Sequence, residues 1–266
     1  MNFKLILGTD CNLNCKYCYQ KHCKNEMSYE VIDKFLERFN ALPGVHHINF
    51  FGGEPFLYME KMLYILKRID QKHDVSVTTN GTFRKEFYEL EKAWGKPIWN
   101  LLSNKEHGNY HKLNEFSSFR WLVSHESLKE LTDETVRFLA KEYGRNLDFK
   151  YILTEKWTEE DVERMEAIQK IIQGIIAPDF FIDLPVNANV KYTCLARNMN
   201  CFINWNGNYL SCHRCPQSII GNIFTGDFQY ANNALCIDEN NLKVENLYSY
   251  GNYKFKGFSL FCGCDH

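Results

Sequence analysis

No stretch of this sequence approaches the roughly 18–20 consecutive apolar residues that a membrane-spanning helix needs, so no membrane association is expected. Met1-Asn2-Phe3-Lys4-Leu5-Ile6-Leu7-Gly8 turns polar too early for a secretory signal, and a cytoplasmic protein is the default expectation. An excess of charge is also missing: 31 Lys and Arg face 33 Asp and Glu, leaving −2. Without a broad basic face, no nucleic-acid partner is expected. No internal repeat or low-complexity tract stands out. Cysteine is absent from the long middle. Of eleven, four lie between Cys11 and Cys23 and seven between Cys194 and Cys264. An odd, clustered set with no export signal suits metal ligation better than a disulfide framework.

What is present points to a folded α/β chain. The 266 residues are 45% hydrophobic and 15% aromatic, enough for a sizeable core. Strand-like segments at Phe3–Thr9, His47–Phe51, Val75–Thr79, Ile98–Ser103, Phe119–Ser124 and Phe149–Leu153 alternate with helical ones. The helices are expected from Ser28, as cap, to about Ala41, and over Glu60–Gln71, Phe83–Ala93, Leu128–Tyr143 and Thr158–Gln173. Phe180–Leu184 reads as a further strand. Repeated β-then-α units imply a parallel sheet with right-handed crossovers. Six units are too few for a closed eight-unit barrel, which leaves a partial barrel or an open sheet. In either, a ligand site lies at the carboxyl ends of the strands. After about Val186 helical periodicity stops and Cys, Asn, Gly and Tyr become frequent. Residues 1–188 are therefore read as the core domain, and 189–266 as a small, loop-rich, metal-stabilised appendage.

Cys11, Cys15 and Cys18 follow the first strand directly, with Tyr17 before the last of them. Three thiolates can hold three irons of a cubane cluster and leave the fourth iron open. His22 or Cys23 would instead close the set as a zinc site. Gly52-Gly53-Glu54-Pro55 follows the second strand, so it occupies a neighbouring carboxyl end. Two glycines there let backbone groups approach a ligand such as an ammonium.

Together these segments resemble the radical S-adenosylmethionine (radical SAM) superfamily: the three-cysteine loop, Gly52–Pro55, and Thr78-Thr79-Asn80-Gly81-Thr82 after the third strand. The resemblance covers about residues 3–190. It implies an α/β fold with a partial (β/α)6 barrel, a [4Fe–4S] cluster, and S-adenosylmethionine as cofactor. It also implies reductive cleavage of that cofactor to a 5′-deoxyadenosyl radical that takes a hydrogen from substrate. Cys11, Cys15, Cys18, Tyr17 and Gly52–Pro55 would form the cofactor site. Ser103 matches the start of a family motif after the fourth strand, although the Asp-Gly that follows it in relatives is missing. Arg120 is a candidate for the cofactor's carboxylate, or else a surface arginine.

The tail carries Cys194, Cys201, Cys212, Cys215, Cys236, Cys262 and Cys264. Cys201 to Cys212 reads as a hairpin turning at Asn206-Gly207, with Gly221-Asn222-Ile223 opening the next strand. This resembles the SPASM or shorter twitch extension of peptide-modifying radical enzymes, which implies auxiliary iron–sulfur clusters. Seven cysteines suggest one complete auxiliary cluster. Cys194, Cys201 and Cys212 are expected as ligands, with Cys215, Cys262 or Cys264 as the fourth and His213 or His266 available to a second site. A zinc knuckle is the plain alternative, and Cys23 and Cys236 are read as ordinary thiols. The resemblance implies a peptide or protein substrate and a low-potential electron donor such as flavodoxin or ferredoxin. The absence of a leader-recognition segment before the first strand weakens the peptide case. A small-molecule substrate, or a non-catalytic iron–sulfur or zinc protein, are the other readings. Glu106, His107, His111 and Asp183 are candidate acid–base groups, none of them assignable.

Overall fold

A computed structural model describes residues 1–16, 18, 20, 22–103, 110–151, 157–182, 189–190, 200–210, 212–213, 219–226 and 244–245. In chain order the elements are β1 (Asn2–Ile6), α1 (Tyr29–Asn40), β2 (His47–Phe51), a 3-10 turn (Pro55–Tyr58), α2 (Met59–Leu66), β3 (Asp74–Thr78), α3 (Arg84–Trp94) and β4 (Trp99–Ser103). They continue with β5 (Ser117–Val123), α4 (His125–Glu130), α5 (Asp133–Tyr143), β6 (Leu147–Tyr151), α6 (Glu159–Gln173) and β7 (Asn189–Val190). The last are β8 (Asn200–Ile203), β9 (Asn208–Leu210), β10 (Ile219–Asn222) and β11 (Val244–Glu245).

The chain forms two compact units. The first comprises Met1–Leu102, Leu113–Phe116 and Ala196–Ile237; the second comprises Ser103–Lys112, Ser117–Leu195 and Asp238–His266. In the first unit the strands run in the order β10-β9-β8-β1-β2-β3-β4. Strands β1 to β4 are mutually parallel, as the βα units predict. The surprise is β8: it pairs in parallel with β1, setting Cys201 beside Phe3 and Phe202 beside Lys4. The cysteine-bearing hairpin thus joins the sheet at the edge of β1. Its turn is where the sequence places it, with Gly207 at φ +83°. A Cβ there would also crowd Ile223 at 2.8 Å.

One face of this sheet packs on helices. Phe3 meets Phe35 and Phe39 of α1 edge-on at 5.8 and 5.4 Å. The α1 helix forms as expected: the Ser28 hydroxyl accepts from the Val31 N–H at 3.3 Å, capping the helix amino end. Because side chains alternate along a strand, Lys4 and Ile6 of β1, Asn49 and Phe51 of β2, and Phe202 of β8 lie on the other face. Ile6, Phe202 and Leu210 cluster there against Phe51.

The second unit pairs β5 and β6 in parallel, Phe119 beside Leu147 and Val123 beside Tyr151. Its core includes Trp121, Val136, Leu139, Met165 and Ile168. Strands β7 and β11 form a small antiparallel pair. The single helix expected over Leu128–Tyr143 is two. Thr132 is extended, and its hydroxyl accepts from the Thr135 N–H at 3.2 Å, starting α5 anew ahead of Asp133 and Glu134. The apolar spacing ran through the break and hid this cap. The helix expected over Glu60–Gln71 ends at Leu66, although Ile69 remains buried. Phe180–Ile182 is not a strand, and the rest of that expected segment, residues 183–184, lies outside the described residues.

Candidate functional site

The site lies in the first unit, where β1, β2 and β3 end. After β1 the chain runs through Gly8, Thr9 and Asp10 into the cysteine loop. Cys11 and Cys15 are half-buried and Cys18 is exposed. The Cys18 N–H donates to the Cys15 carbonyl at 3.0 Å, a tight turn that keeps these two close in the loop. Cys11 Sγ accepts from the Leu13 N–H at 3.5 Å and from Asn80 Nδ2 at 3.7 Å. Burial pushes the Cys11 thiol upward, and the charges of Glu54 and Cys15 add to this, while the Leu13 and Asn80 donors oppose it. His22 Nε2 stands 3.5 Å from Cys18 Sγ. Among the described residues no three His, Cys, Asp or Glu side chains converge as ligands of a single metal ion. A cubane bonds one thiolate per iron, so three thiols along one loop suit its donor requirement, and one iron is left for a non-protein ligand.

The Gly52–Gly53 pair has a role that sequence alone did not reveal. The Gly53 N–H donates to the Gly8 carbonyl at 3.0 Å, and the Glu54 N–H donates to the Asp10 carbonyl at 2.9 Å. The two loops therefore lie backbone against backbone. A Cβ on Gly52, which sits at φ +138°, would come within 2.3 Å of the Gly8 oxygen; one on Gly53 would come within 2.0 Å of the Asp10 oxygen. Gly8 in turn lies against the Tyr58 ring, 2.2 Å from where its own Cβ would be. The Tyr58 hydroxyl accepts from the Asp10 N–H at 3.1 Å and donates to the Asn25 carbonyl at 3.2 Å, clamping both ends of the cysteine loop.

Glu54 is fully buried. Its carboxylate accepts from the Phe56 N–H at 3.2 Å, the Thr79 hydroxyl at 2.8 Å and the Asn80 N–H at 2.7 Å. It thereby ties the β2 loop to the Thr78–Thr82 segment after β3. Asn80 then reaches the cysteine loop, donating to Asn12 Oδ1 at 2.7 Å. Three strand ends are joined by a chain of hydrogen bonds around the thiols. Tyr58 and the Glu54–Asn80 link were not named as site residues from sequence. No local spacing marks a contact that arises only when separate βα loops meet.

Cys201 and His213 lie on opposite faces of the sheet. Cys201 is 5% exposed and belongs to the β8 face that carries Phe3 and α1. Burial pushes its thiol up to about 12. His213 instead packs on Phe51 and Phe202, at 5.1 and 4.9 Å, on the opposite face. Lys4 lies over the same two rings, at 5.7 and 5.5 Å. Cys212 is half-buried and Cys23 exposed. Ser103 ends β4. Arg120, in the second unit, is engaged by Asp148 at 2.8 Å across β5 and β6. His111 is mostly exposed, 3.8 Å from Glu142. Tyr17, Glu106, His107, Asp183, Cys194, Cys215, Cys236, Cys262, Cys264 and His266 lie outside the described residues. No helix among the described residues is long and apolar enough to cross a membrane.

Comparison with known proteins bears on this geometry. The family model described as the Radical SAM superfamily matches residues 5–165. GTP 3',8-cyclase of Clostridium botulinum (strain Hall) is 35% identical over 108 residues, covering 37% of this chain and 34% of that protein. A probable GTP 3',8-cyclase of Thermococcus kodakarensis is 28% identical over 146 residues, covering 52% of this chain and 45% of its own length. The chain thus spans a third to under a half of these curated relatives. Among solved structures, a histidine-tagged anSMEcpe with bound AdoMet aligns at a TM-score of 0.60 and 16% identity, covering 88% of this chain and 78% of that one. Streptococcus suis SuiB bound to precursor peptide SuiA aligns at 0.57 and 16% identity, covering 85% and 63%. These likenesses establish the fold: an α/β partial barrel, as the family resemblance implied.

Proposed function

Because the chain belongs to the radical SAM superfamily, we propose that it is an enzyme whose Cys11, Cys15 and Cys18 hold a [4Fe–4S] cluster with one iron open to S-adenosylmethionine. When bound, this pair supplies a one-electron cleavage of the sulfonium and a 5′-deoxyadenosyl radical that takes a hydrogen from substrate. The observation that carries the reading is the backbone pairing of Gly8–Asp10 with Gly53–Glu54. It sets the cysteine loop and the glycine loop side by side at adjacent strand ends.

The chain's own residues then have distinct tasks. The N–H groups of Gly53 and Glu54 are spent on the cysteine loop and the Glu54 carbonyl accepts from the Leu57 N–H at 3.1 Å, so the backbone carbonyls of Gly52 and Gly53 are assigned to the cofactor's ammonium. Glu54 does not meet the cofactor in this reading; it braces the loop from within. Tyr17 is assigned to the cofactor's remaining groups. Anaerobic reconstitution with S-adenosylmethionine and dithionite tests the proposal. 5′-Deoxyadenosine should form in the wild type and not in Cys15→Ala. Its absence from an intact, iron-loaded wild type would refute the reading.

For the substrate we propose a peptide or protein side chain, modified in an oxidative maturation step, with flavodoxin or ferredoxin as electron donor. The hairpin ending in Cys212 supports this, as does the fold shared with SuiB, which binds a precursor peptide. Auxiliary iron–sulfur ligands would come from Cys212 together with Cys194, Cys215, Cys262 and Cys264. Cys201, on the helix-packed face, suits this set least. A small-molecule substrate is the second reading, favoured by the curated relatives named GTP 3',8-cyclase.

A further inference from the structure

Asn80 meets the cysteine loop in a defined orientation. Its side-chain oxygen accepts from the Thr82 N–H at 3.0 Å and from the Thr82 hydroxyl at 2.6 Å. A backbone N–H can only donate, so the oxygen must face Thr82 and the amide nitrogen must face the other way. That nitrogen carries two hydrogens. One reaches Asn12 Oδ1 at 2.7 Å, and the other points at Cys11 Sγ, 3.7 Å away. Asn12 returns a bond from its own Nδ2 to Thr82 Oγ1 at 3.0 Å. Asn12, Asn80 and Thr82 thus close a ring, and Glu54 fixes the Asn80 backbone from below. The whole arrangement holds one N–H against one sulfur.

We propose that Asn80 is a positioning residue that tunes the reduction potential of the cluster through Cys11. The inference rests on the reading of Cys11 as a cluster ligand. Adding one electron increases the negative charge shared by the cluster and its sulfurs. A donor aimed at sulfur stabilises that extra charge and raises the potential. Leu13 supplies a backbone donor to the same sulfur at 3.5 Å, which an alanine substitution leaves in place. Asn80 is the donor that mutation can reach. Its placement eases electron entry from a donor protein, at some cost in driving force for the cleavage that follows.

The test uses the full chain, reconstituted anaerobically. Iron and sulfide are counted first. The cluster whose paramagnetic signal responds to S-adenosylmethionine is then titrated against potential. Asn80→Ala should keep its iron and shift the midpoint negative. Asn80→Asp keeps the shape and the Thr82 contacts but replaces the donor with a carboxylate, so its shift should be larger. Asn12→Ala leaves the N–H to sulfur in place and should stay near the wild type. Wild-type potentials in both Asn80 variants overturn the proposal. So does an Asn12→Ala shift equal to that of Asn80→Ala, or loss of iron from both Asn80 variants, since either makes Asn80 a scaffold only. Cys11→Ala separates the two layers. If it retains the responsive cluster, the ligand reading itself fails, whatever Asn80 does.

Discussion

The Asn80 backbone N–H donates to Glu54 Oε2 at 2.7 Å, joining the ends of β2 and β3 behind the cysteine loop. Glu54 has no exposure to solvent, yet three donors converge on it. A buried carboxylate is tolerated only when its lone pairs are matched in this way. Glu54→Gln puts an NH2 where two N–H groups and a hydroxyl point, so at least one donor faces a donor. A loss of about 1.5–3 kcal/mol is expected, the usual worth of hydrogen bonds to a charged group. Urea unfolding of the reconstituted protein measures it. Iron content should fall as well, because the glycine loop that Glu54 braces holds the cysteine loop through the Gly53–Gly8 and Glu54–Asp10 backbone bonds.

The two glycines allow a sharper contrast. Gly53→Ala would place its Cβ 2.0 Å from the Asp10 oxygen, where only backbone can give way. The Gly53–Gly8 and Glu54–Asp10 bonds should open and the cysteine loop should shift. The expected result is loss of S-adenosylmethionine binding with the fold retained, read by equilibrium dialysis and circular dichroism. Gly44→Ala is the control. Gly44 is also at positive φ, +91°, but nothing lies within 4 Å of its Cβ position, so it should strain its turn and leave cofactor binding alone.

These contacts mark the limit of what the sequence could tell. The helix cap at Ser28, the strand at His47–Phe51 and the turn at Gly207 are local, and residue type alone decides them. The glycines at 52 and 53 were legible as a site of close approach. What they approach was not: it is the Gly8–Asp10 backbone, brought there by parallel pairing of β1 and β2. The parallel docking of β8 on β1 was likewise hidden, since it joins segments almost two hundred residues apart. In α4 and α5 the opposite happened. A local cap at Thr132 was present in the sequence, but continuous apolar spacing outweighed it.

Half-buried His47 and buried His73 give the first unit an acid-sensitive term. Burial lowers the pKa of His47, with Lys4 and the amino terminus lowering it further and Asp74 opposing. Burial also lowers His73, with Lys72 and His46 adding to it and Asp70 opposing. Both rings are held neutral in the fold. Between the unfolded value of 6.5 and the lower folded values, the unfolded chain binds more protons. Stability is therefore fully present above about pH 6.5 and declines as pH falls below it. The urea midpoint should drop between pH 7.5 and 5.5. The slope should shrink in His47→Gln, whose amide can still reach Ser76, the partner of the His47 ring at 2.8 Å. An unchanged slope would remove His47 from the account.

Cys201 and Cys212 carry the last contrast, and it bears on how the tail works. In β8 the side chains alternate, so Cys201 shares the α1 face with Phe3 while Phe202 meets His213 on the other. An auxiliary cluster needs four thiolates gathered around one cubane. A thiol enclosed beside α1 would have to abandon its packing to join them. Cys201→Ala should therefore keep the full iron count and lower stability by about 1 kcal/mol, the value of a small buried apolar group. Cys212→Ala should lose about four irons per chain, the content of one cubane. The Cys11, Cys15 and Cys18 site should still be reducible in both. Iron analysis with Mössbauer spectroscopy reads the result directly. Equal iron losses from the two variants would place Cys201 among the ligands and require the β8–β9 hairpin to turn over when metal binds.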